Sequence, residues 1–383
     1  MKDVLLPLGG AHEIGASSYL VTLQGTNLLL DCGAKIENGV EVFPNYKRLL
    51  ERQVYSYEEL DGIIISHAHY DHMGSLFEIA RLTRRTPIYT TYATKEFIRL
   101  QLLTFERGID KSQDEKMQGM RKKQLQSIIN RIQVVSVLKP FKIGQCSITL
   151  YPAGHMPGAC MVGIETSDKS VLYTGDFSEL TIGQINVKNL NGFHPDILIM
   201  NATYGYQSDK GLIQTKLFDA EAIKKQIVQC LAQGKRVLIK SNSIPKHLNL
   251  FFVLKDMEFN VPMYITETSK MIQEALAELR FNVHLEGLLP AERLKESMEN
   301  ELPHVLIGSR EYPGYHVISF DQFSLHAKYS ELINLVYQCA PKKVYCLHAN
   351  VQPDALNFMD EMKYQCRYNG EMVQCYNEQY YAL

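Results

Sequence analysis

The hydrophobic and polar positions of the first ninety or so residues alternate between short β-rich runs and a helical pattern. Val4–Leu8 and Tyr19–Leu30 have the composition of strands, and Gln24–Asn27 predicts that the second is bent into a hairpin. Gly62–Ile65 is a continuous apolar run, which is typical of a strand buried on both faces. An amphipathic helical pattern follows over Ser75–Leu82. The opening of the chain therefore predicts a mixed α/β fold.

Two long helical patterns occupy residues 92–132, and β character returns after them. Within the helical region, the polar stretch Lys111–Lys123 predicts a solvated face. Its basic cluster Arg121–Lys123 is interpreted as an exposed surface or, alternatively, as part of a substrate rim. The strands predicted between residues 137 and 200 are Lys142–Tyr151, Met161–Glu165, Val171–Thr174 and Asp196–Met200.

Residues 204–320 have a different rhythm, in which helices alternate with short strands. The predicted elements of this block are helix 217–232, strand Arg236–Lys240, helix 246–255, strand Met263–Ile265, helix 268–279 and strand Val305–Gly308. This βαβ alternation indicates a parallel sheet. The final segment predicts helix 328–338, strand Lys343–Leu347, helix 353–362 and a terminal β-like run. Because no linker-like stretch separates the blocks, we expect the middle one to be inserted into the first domain.

Composition narrows the function classes only modestly. The chain has 383 residues, 45% of them hydrophobic, and a formal net charge of −2, so a nucleic-acid enzyme would depend on a local basic cleft. The eight cysteines show no C-x-x-C pair, which favours reduced, mostly buried thiols in a cytosolic protein. The N-terminal apolar run is too short for a signal peptide, and no stretch is long enough to span a bilayer. We therefore expect a soluble, cytoplasmic protein without a membrane partner.

The strongest chemical signal lies in Ser66–Gly74, directly after the buried strand. Side chains two apart on an extended segment point the same way, so His67 and His69 can bind one ion together. Asp71 and His72 then lie on the turn into the next helix, where they can bind a neighbouring ion. Imidazole nitrogens and carboxylates are ligands suited to zinc, so the segment predicts a metal site.

This H-x-H-x-D-H spacing resembles the signature of the metallo-β-lactamase superfamily, and later segments resemble its further motifs in order. Asp31, after Leu28–Leu30, resembles the early structural aspartate. His155, in a Gly-His-Met-Pro-Gly segment, resembles the third-motif histidine that completes the first metal site. Asp176, in Tyr-Thr-Gly-Asp-Phe, resembles the fourth-motif aspartate that bridges both ions. The resemblance covers residues 1–200 and 323–383.

The resemblance implies an α/β protein built as an αββα sandwich that holds two Zn²⁺ ions, with Mn²⁺ as the alternative metal. A hydroxide shared by the ions would be the nucleophile, since zinc lowers the pKa of bound water to about 7. Asp71 would both bind the second ion and orient this hydroxide.

Two later histidines resemble those of the β-CASP nucleases, the branch with a cap domain inserted before the last ligand. His326, in Phe-Ser-Leu-His-Ala-Lys-Tyr, resembles the histidine that protonates the leaving group, and His348 resembles the last metal ligand. The loop Gly9–Ser17 is similar to the opening loop of that branch. A histidine at the last ligand position is typical of its RNA-processing members, which favours RNA as the partner. The implied domains are residues 1–203, an inserted α/β (β-CASP-like) domain at 204–322, and residues 323–383.

One departure from the family concerns the catalytic centre. Asn201 stands in Asn-Ala-Thr-Tyr-Gly where an acidic residue is expected. A carboxylate there would orient His326 and keep its pKa high, whereas an amide can form a hydrogen bond but stabilises imidazolium less. Asn201 is therefore a candidate catalytic residue with an altered role.

Two further departures concern the substrate contacts. Val237–Asn249 lacks the family's Gly-Arg element, which leaves Lys246 or His247 as candidate phosphate contacts. His304–Pro313 replaces a Ser-Gly-Met loop, and Ser309 and Arg310 are its nearest remnants. The hydrolytic centre thus matches the family, while the substrate-binding cap is remodelled.

Three functions remain open from the sequence. The first is an RNA-cleaving phosphodiesterase. The second is a metallo-hydrolase of an ester, thioester or lactone, which Asn201 and the missing phosphate loop favour. The third is a catalytically weak partner or scaffold subunit, and a homodimer is compatible with each. The remaining histidines show no ligand spacing and are interpreted as structural or surface residues: His12, His194, His284 and His316.

Overall fold

The computed structural model describes most of the chain. The described residues are 2–51, 56–108, 115–179, 190–205, 216–217, 220–241, 244–254, 257, 260–278, 285, 287–320, 323–349 and 368–383. The chain divides into two compact units, of which the first comprises Met1–Thr181, Ile185–Gly211 and His326–Leu383, and the second Ile182–Gln184 and Leu212–Leu325.

The elements of the described residues are numbered in chain order. The strands are β1 (Val4–Gly9), β2 (Ser18–Leu23), β3 (Thr26–Leu30), β4 (Lys35–Glu37), β5 (Val40–Val42), β6 (Gly62–Ile64), β7 (Ile88–Thr90), β8 (Ile132–Val134), β9 (Phe141–Ile143), β10 (Cys146–Pro152), β11 (Cys160–Glu165), β12 (Ser170–Tyr173), β13 (Ile197–Asn201), β14 (Lys216–Leu217), β15 (Val237–Lys240), β16 (Met263–Ile265), β17 (Leu288–Pro290), β18 (Val305–Gly308), β19 (His316–Ser319), β20 (Phe323–Ser324), β21 (Lys343–Leu347), β22 (Glu371–Gln374) and β23 (Tyr381–Ala382). The α-helices are α1 (Tyr70–Met73), α2 (Leu76–Leu82), α3 (Tyr92–Gly108), α4 (Glu115–Arg131), α5 (Ala220–Ala232), α6 (Ile244–Leu254), α7 (Glu267–Glu278), α8 (Leu294–Glu299) and α9 (Tyr329–Cys339). Short 3-10 helices span Tyr46–Leu50, Tyr57–Glu59 and Ala291–Arg293.

The first unit contains two seven-stranded sheets, with strand orders β23-β1-β2-β3-β6-β7-β8 and β22-β21-β13-β12-β11-β10-β9. Apolar side chains from both sheets, such as Leu28, Ile64, Val162 and Ile199, meet in one buried cluster. The two sheets therefore pack face to face around a shared core, as the predicted sandwich requires.

Parallel pairing sets where the strands of the first unit end. β3, β6, β7 and β8 run parallel in the first sheet, and β12, β13, β21 and β22 run parallel in the second. All three residues of β6 are buried, which confirms the prediction from its apolar run. The loops that follow these strands leave from one end of each sheet, and all candidate ligands except His155 lie in those loops or in the short helix α1.

The second unit contains a five-stranded sheet with the order β17-β16-β18-β15-β19, in which every described pair is parallel. This confirms the parallel sheet that the βαβ alternation predicted. The domain boundaries at residues 204 and 322 stay predictions, since residues 206–215 and 321–322 lie outside the described part of the chain.

The structure corrects two predicted elements. The strand predicted at Lys142–Tyr151 is two strands, β9 and β10, because Gly144 turns the chain with a φ of +53°. The helix predicted from residue 217 begins at Ala220 instead, because residues 216–217 pair with β20. The predicted helix at 353–362 lies outside the described residues. Within the described ranges, no helix is long and apolar enough to cross a membrane.

Candidate metal centre

The site begins where the neighbouring parallel strands β3 and β6 end together, since Leu30 pairs with Ile64. Asp31 follows β3 with a φ of +59°, and Ser66 follows β6. The Ser66 backbone N–H donates to Asp31 Oδ1 at 2.7 Å, which fixes the start of the His67–His72 segment.

Backbone hydrogen bonds hold the α1 turn against two other loops. The N–H of Ser17 donates to the carbonyl of Asp71 at 2.9 Å, and the N–H of Cys32 donates to that of His72 at 2.8 Å. Gly33 must lack a side chain, because a Cβ there would lie 1.7 Å from the Asp71 carbonyl oxygen. These contacts set the positions of Asp71 and His72.

The second sheet supplies the remaining side chains from its loops and strand ends. His155 lies in the loop between β10 and β11, and Asp176 follows β12. Asn201 ends β13, and His348 follows β21 with a φ of +52°. Because β12, β13 and β21 are neighbouring parallel strands, their carboxyl ends bring Asp176, Asn201 and His348 to one place.

A first group of potential metal ligands contains His67, His69, His155 and Asp176. His155 Nε2 lies 2.9 Å from His69 Nδ1. Asp176 Oδ2 lies 3.7 Å from both His67 Nε2 and His155 Nε2. These atoms are close enough to surround a single ion.

A second group contains Asp71, His72, Asp176 and His348. His72 Nε2 lies 3.5 Å from Asp176 Oδ2 and 4.0 Å from Asp71 Oδ2, and His348 Nε2 lies 3.6 Å from Asp71 Oδ2. Within each group the ligand atoms lie within 4.8 Å of one another. Asp176 belongs to both groups, which is the geometry of a bridging carboxylate.

Orphaned nitrogens indicate that these groups fit a cation. The Nε2 atoms of His67, His72 and His348 are buried and form no hydrogen bond. Buried polar atoms without a partner cost free energy, so three of them next to the carboxylates of Asp176 and Asp71 indicate a site for a positive ion. Zinc–nitrogen bonds of about 2.0–2.1 Å correspond to ligand separations of roughly 3.3 Å in a tetrahedron, similar to those found here.

His326 lies beside the shared carboxylate. Its Nδ1 is 3.2 Å from Asp176 Oδ2 and 3.5 Å from Thr203 Oγ1, and its side chain is 22% exposed. Burial opposes protonation, but Asp176 and Asp71 outweigh it and raise the pKa of His326 above its ordinary value. A protonated imidazole is the form that a general acid requires.

Asn201 contacts the candidate ligand Asp176. Its Nδ2 donates to Asp176 Oδ1 at 3.0 Å, and its Oδ1 is buried without a hydrogen-bond partner. The described contacts of His326 Nδ1 are Asp176 and Thr203, whereas the family pattern places an acidic residue 201 beside this histidine. The catalytic role of Asn201 therefore stays a prediction, with Asp176 as its described contact.

Comparison with known proteins assigns the family. Residues 13–199 match the family model of the metallo-β-lactamase superfamily. These residues form a domain of the metallo-β-lactamase superfamily. The predicted fold class is thereby confirmed.

Two curated relatives of this chain have names that denote RNA-processing proteins. The cleavage and polyadenylation specificity factor subunit 3-I of Arabidopsis thaliana is 27% identical over 261 residues, which are 68% of this chain and 36% of that protein. The endoribonuclease YSH1 of Candida albicans is 26% identical over 259 residues, which are 65% of this chain and 29% of that protein. Both names denote proteins of RNA processing, in agreement with the predicted branch. The chain spans about a third of the length of these curated relatives.

A solved structure supports the fold over the whole length of the chain. The crystal structure of a protein of unknown function from Enterococcus faecalis V583 matches with a TM-score of 0.68 and covers 100% of both chains. Its sequence identity is 13%, so the likeness shows the fold alone.

The pKa shifts of three residues in the first ligand group favour metal binding. Burial, followed by His72 and His69, holds the pKa of His67 well below its ordinary value, and burial and His155 do the same for His69. Burial raises the pKa of Asp176, but His326, His72 and His348 outweigh it and hold that pKa well below the ordinary value. Neutral imidazoles and an ionised carboxylate are the forms that bind metal.

The sequence did not single out three residues that support the ligands. Ser66 Oγ lies 2.9 Å from His67 Nδ1, Ser17 Oγ lies 2.8 Å from His348 Nδ1, and Tyr173 OH donates to Asp31 Oδ2 at 2.6 Å. The only sequence signal for these three residues is that each lies within or next to one of the motif segments.

The four candidate substrate contacts all lie in the second unit. Ser309 and Arg310 follow β18, and Arg310 is exposed. Lys246 is partly buried on α6, whereas His247 is buried, with its Nε2 2.9 Å from Ser269 Oγ. Their roles in substrate binding stay predictions.

Proposed function

We propose that this chain is a zinc-dependent ribonuclease, a phosphodiesterase that cleaves RNA. The observation that supports the proposal most is the sharing of Asp176 between two ligand groups, with His326 3.2 Å from the same carboxylate oxygen. Phosphodiester hydrolysis needs a centre for the attacking water, positive charge for phosphate and an acid for the departing oxygen. The names of the relatives, which include an endoribonuclease, favour RNA as the substrate.

The two ligand groups would hold one Zn²⁺ each, with Mn²⁺ as the alternative. Bound zinc would lower the pKa of a water molecule and offset negative charge on the phosphate. His67, His69 and His155 would bind the first ion, Asp71, His72 and His348 would bind the second, and Asp176 would bind both. The metal content of purified protein tests this number and the identity of the ions.

The less buried side chains at the centre would act on the substrate. Asp71 is 26% exposed and His326 is 22% exposed, whereas the side chains of His67, His72 and His348 are fully buried. Asp71 would accept a hydrogen bond from the attacking water and orient it. His326 would donate its proton to the leaving oxygen, with Asp176 and Thr203 holding its ring.

His326→Ala tests the acid. Cleavage of a labelled RNA by zinc-loaded protein should fall by roughly 10²–10⁴, the usual contribution of a general acid, while metal content is retained. His194→Ala is the matched control, since His194 is exposed. An unchanged rate in His326→Ala would contradict the assigned role.

A second candidate function is hydrolysis of an ester, thioester or lactone. The β4–β5 hairpin exposes Ile36 and Val40 at 66% and 64%. Glu41 of this hairpin accepts a hydrogen bond from Tyr70, the neighbour of Asp71. Lys35 at the base of the hairpin forms an ion pair with Glu13 at 2.7 Å, so its positive charge is offset. Exposed apolar side chains, next to a lysine whose charge is already paired, suit an apolar substrate group better than a phosphate backbone.

Paired assays separate these functions. Zinc-loaded protein should cleave a 5′-phosphorylated RNA panel and leave p-nitrophenyl esters largely intact if the first proposal holds. The reverse preference would establish the second function. Full metal content without either activity would instead favour the partner-subunit alternative.

We further propose a cytoplasmic location. The cysteines of the described residues are buried and free, as the sequence predicted, and Cys366 lies outside those residues. Reduced thiols of this kind are usual in the cytosol. A homodimer stays a prediction, which sedimentation of the purified chain can test.

A further inference from the structure

Asp31 contacts both candidate metal sites through one carboxylate. Its Oδ2 accepts hydrogen bonds from Ser66 Oγ at 2.8 Å and Tyr173 OH at 2.6 Å, and lies 2.8 Å from His72 Nδ1. A carboxylate is an acceptor only, so His72 must donate its Nδ1–H. In the neutral ring, which is the form that binds metal, the lone pair of His72 is then on Nε2, the atom that faces Asp176.

The contact to the other site passes through Ser66. A serine hydroxyl has a single hydrogen, and that of Ser66 is donated to Asp31. At the 2.9 Å contact between Ser66 Oγ and His67 Nδ1, the serine oxygen must therefore accept, and His67 must donate. His67 is thereby held with its lone pair on Nε2, which faces Asp176.

We propose that Ser66 is a positioning residue that, through Asp31, couples the ligand histidine of one metal site to that of the other. The inference rests on the proposed two-metal function. Asp31, Ser66, His67 and His72 form the Ser66 relay, which starts at Nδ1 of His67 and ends at Nδ1 of His72. Histidine ligands commonly donate their second N–H to a carboxylate, and here one carboxylate serves two of them.

The residues of the Ser66 relay are buried, so solvent cannot take the place of the Ser66 hydroxyl. Ser66, Asp31, His67 and His72 are each 1% exposed or less. The Ser66 carbonyl accepts from the N–H of Cys160 at 2.9 Å, which fixes its backbone. A Cβ on Gly175 would lie 2.8 Å from the Ser66 Cβ, so the strand end before Asp176 also confines this side chain.

Ser66→Ala tests the relay without removing a ligand. His67 would lose the acceptor for its Nδ1–H, whereas His72 would keep its contact to Asp31. We expect one of the two zinc ions to bind about 10–100-fold more weakly, the usual effect of losing such a supporting partner, while the other keeps its affinity. Competition with a chromophoric chelator on metal-stripped protein measures both affinities.

Ser18→Ala is the matched control. Ser18 is equally buried and donates to Asp31 at 2.9 Å, but to its backbone carbonyl and not to the carboxylate. The control should bind both ions like the unmodified chain. The inference is overturned if Ser66→Ala matches Ser18→Ala, or if it weakens both ions equally. Absence of metal binding in the unmodified chain would instead refute the proposed function.

A measurement on the unmodified protein covers the case in which Ser66→Ala does not fold. Nitrogen NMR of selectively labelled histidines should show His67 and His72 both protonated at Nδ1 in the metal-free chain. A proton on Nε2 of His67 would contradict the relay, because Ser66 would then not accept from it.

Discussion

His304 in the second unit is a buried histidine that burial favours in the neutral form. Its Nδ1–H donates to the Leu302 carbonyl at 2.7 Å, so its Nε2 accepts from Tyr315 OH at 2.5 Å. Burial, together with the nearby Arg236, lowers the pKa of His304 below its ordinary value of 6.5. A second ring proton would place a positive charge in a buried position close to the guanidinium of Arg236.

This geometry predicts a pH-dependent stability. The unfolded chain binds a proton at His304 near pH 6.5, whereas the folded chain resists it, so the stabilisation is complete above that pH and is lost as pH falls below it. His304→Gln should show a smaller drop in melting temperature between pH 7.5 and 5.5 than the unmodified chain. Equal drops would contradict the prediction, and His194→Ala controls for an exposed histidine.

At the scale of single residues, the sequence indicated the candidate ligands but not the residues that hold them in place. His67, His69, Asp71 and His72 follow one buried strand, so spacing alone indicated that they converge. The hydrogen-bond partners of Ser66 and Asn201 depend on strand ends distant in the chain, and a single sequence contains no signal for such contacts.

At the scale of elements, the turn before β4 and the α1 helix must approach each other closely. The backbone of Gly33 passes so near Asp71 that a Cβ would lie 1.7 Å from its carbonyl oxygen. The Gly33 N–H also donates to the Ser17 carbonyl at 2.8 Å, which ties three segments together. The position of Asp71 therefore depends on a missing side chain.

Gly33→Ala should displace α1 and weaken the metal site. Overpacking of this kind costs about 1–3 kcal/mol or more, so we expect a lower melting temperature and weaker zinc binding. Gly25→Ala is the control, because a Cβ there meets nothing within 4 Å although its φ of +79° is strained. Its cost should be about 1–2 kcal/mol without loss of metal. Zinc affinity preserved in Gly33→Ala would contradict this dependence.

The limits of sequence patterns also appear at this scale. Continuous apolar runs such as Gly62–Ile65 predicted buried strands correctly, because burial on both faces leaves no polar alternation. The turn at Gly144 was missed, since a glycine within an apolar-rich stretch is also compatible with an unbroken strand. Residues 216–217 pair with β20, which lies about a hundred residues later, and local propensity cannot indicate such a partner.

At the scale of the whole molecule, charge restricts how RNA could bind. A formal net charge of −2 provides no general attraction for a polyanion, so affinity must come from particular cations. Arg310 is exposed beyond β18, and Ser309 precedes it. If this segment contacts phosphate, its contribution must be sensitive to salt, whereas the chemistry at the metal centre need not be.

Arg310→Gln should therefore raise KM for RNA and leave kcat nearly unchanged. The loss of one phosphate contact reduces the slope of log affinity against log salt by about 1, so the variant and the unmodified chain should converge at high salt. Arg293→Gln is the matched control, an exposed arginine of the same unit. A contact that stabilises the bound substrate and the transition state equally affects KM and not kcat. A fall in kcat without a rise in KM would therefore refute a phosphate-binding role for Arg310.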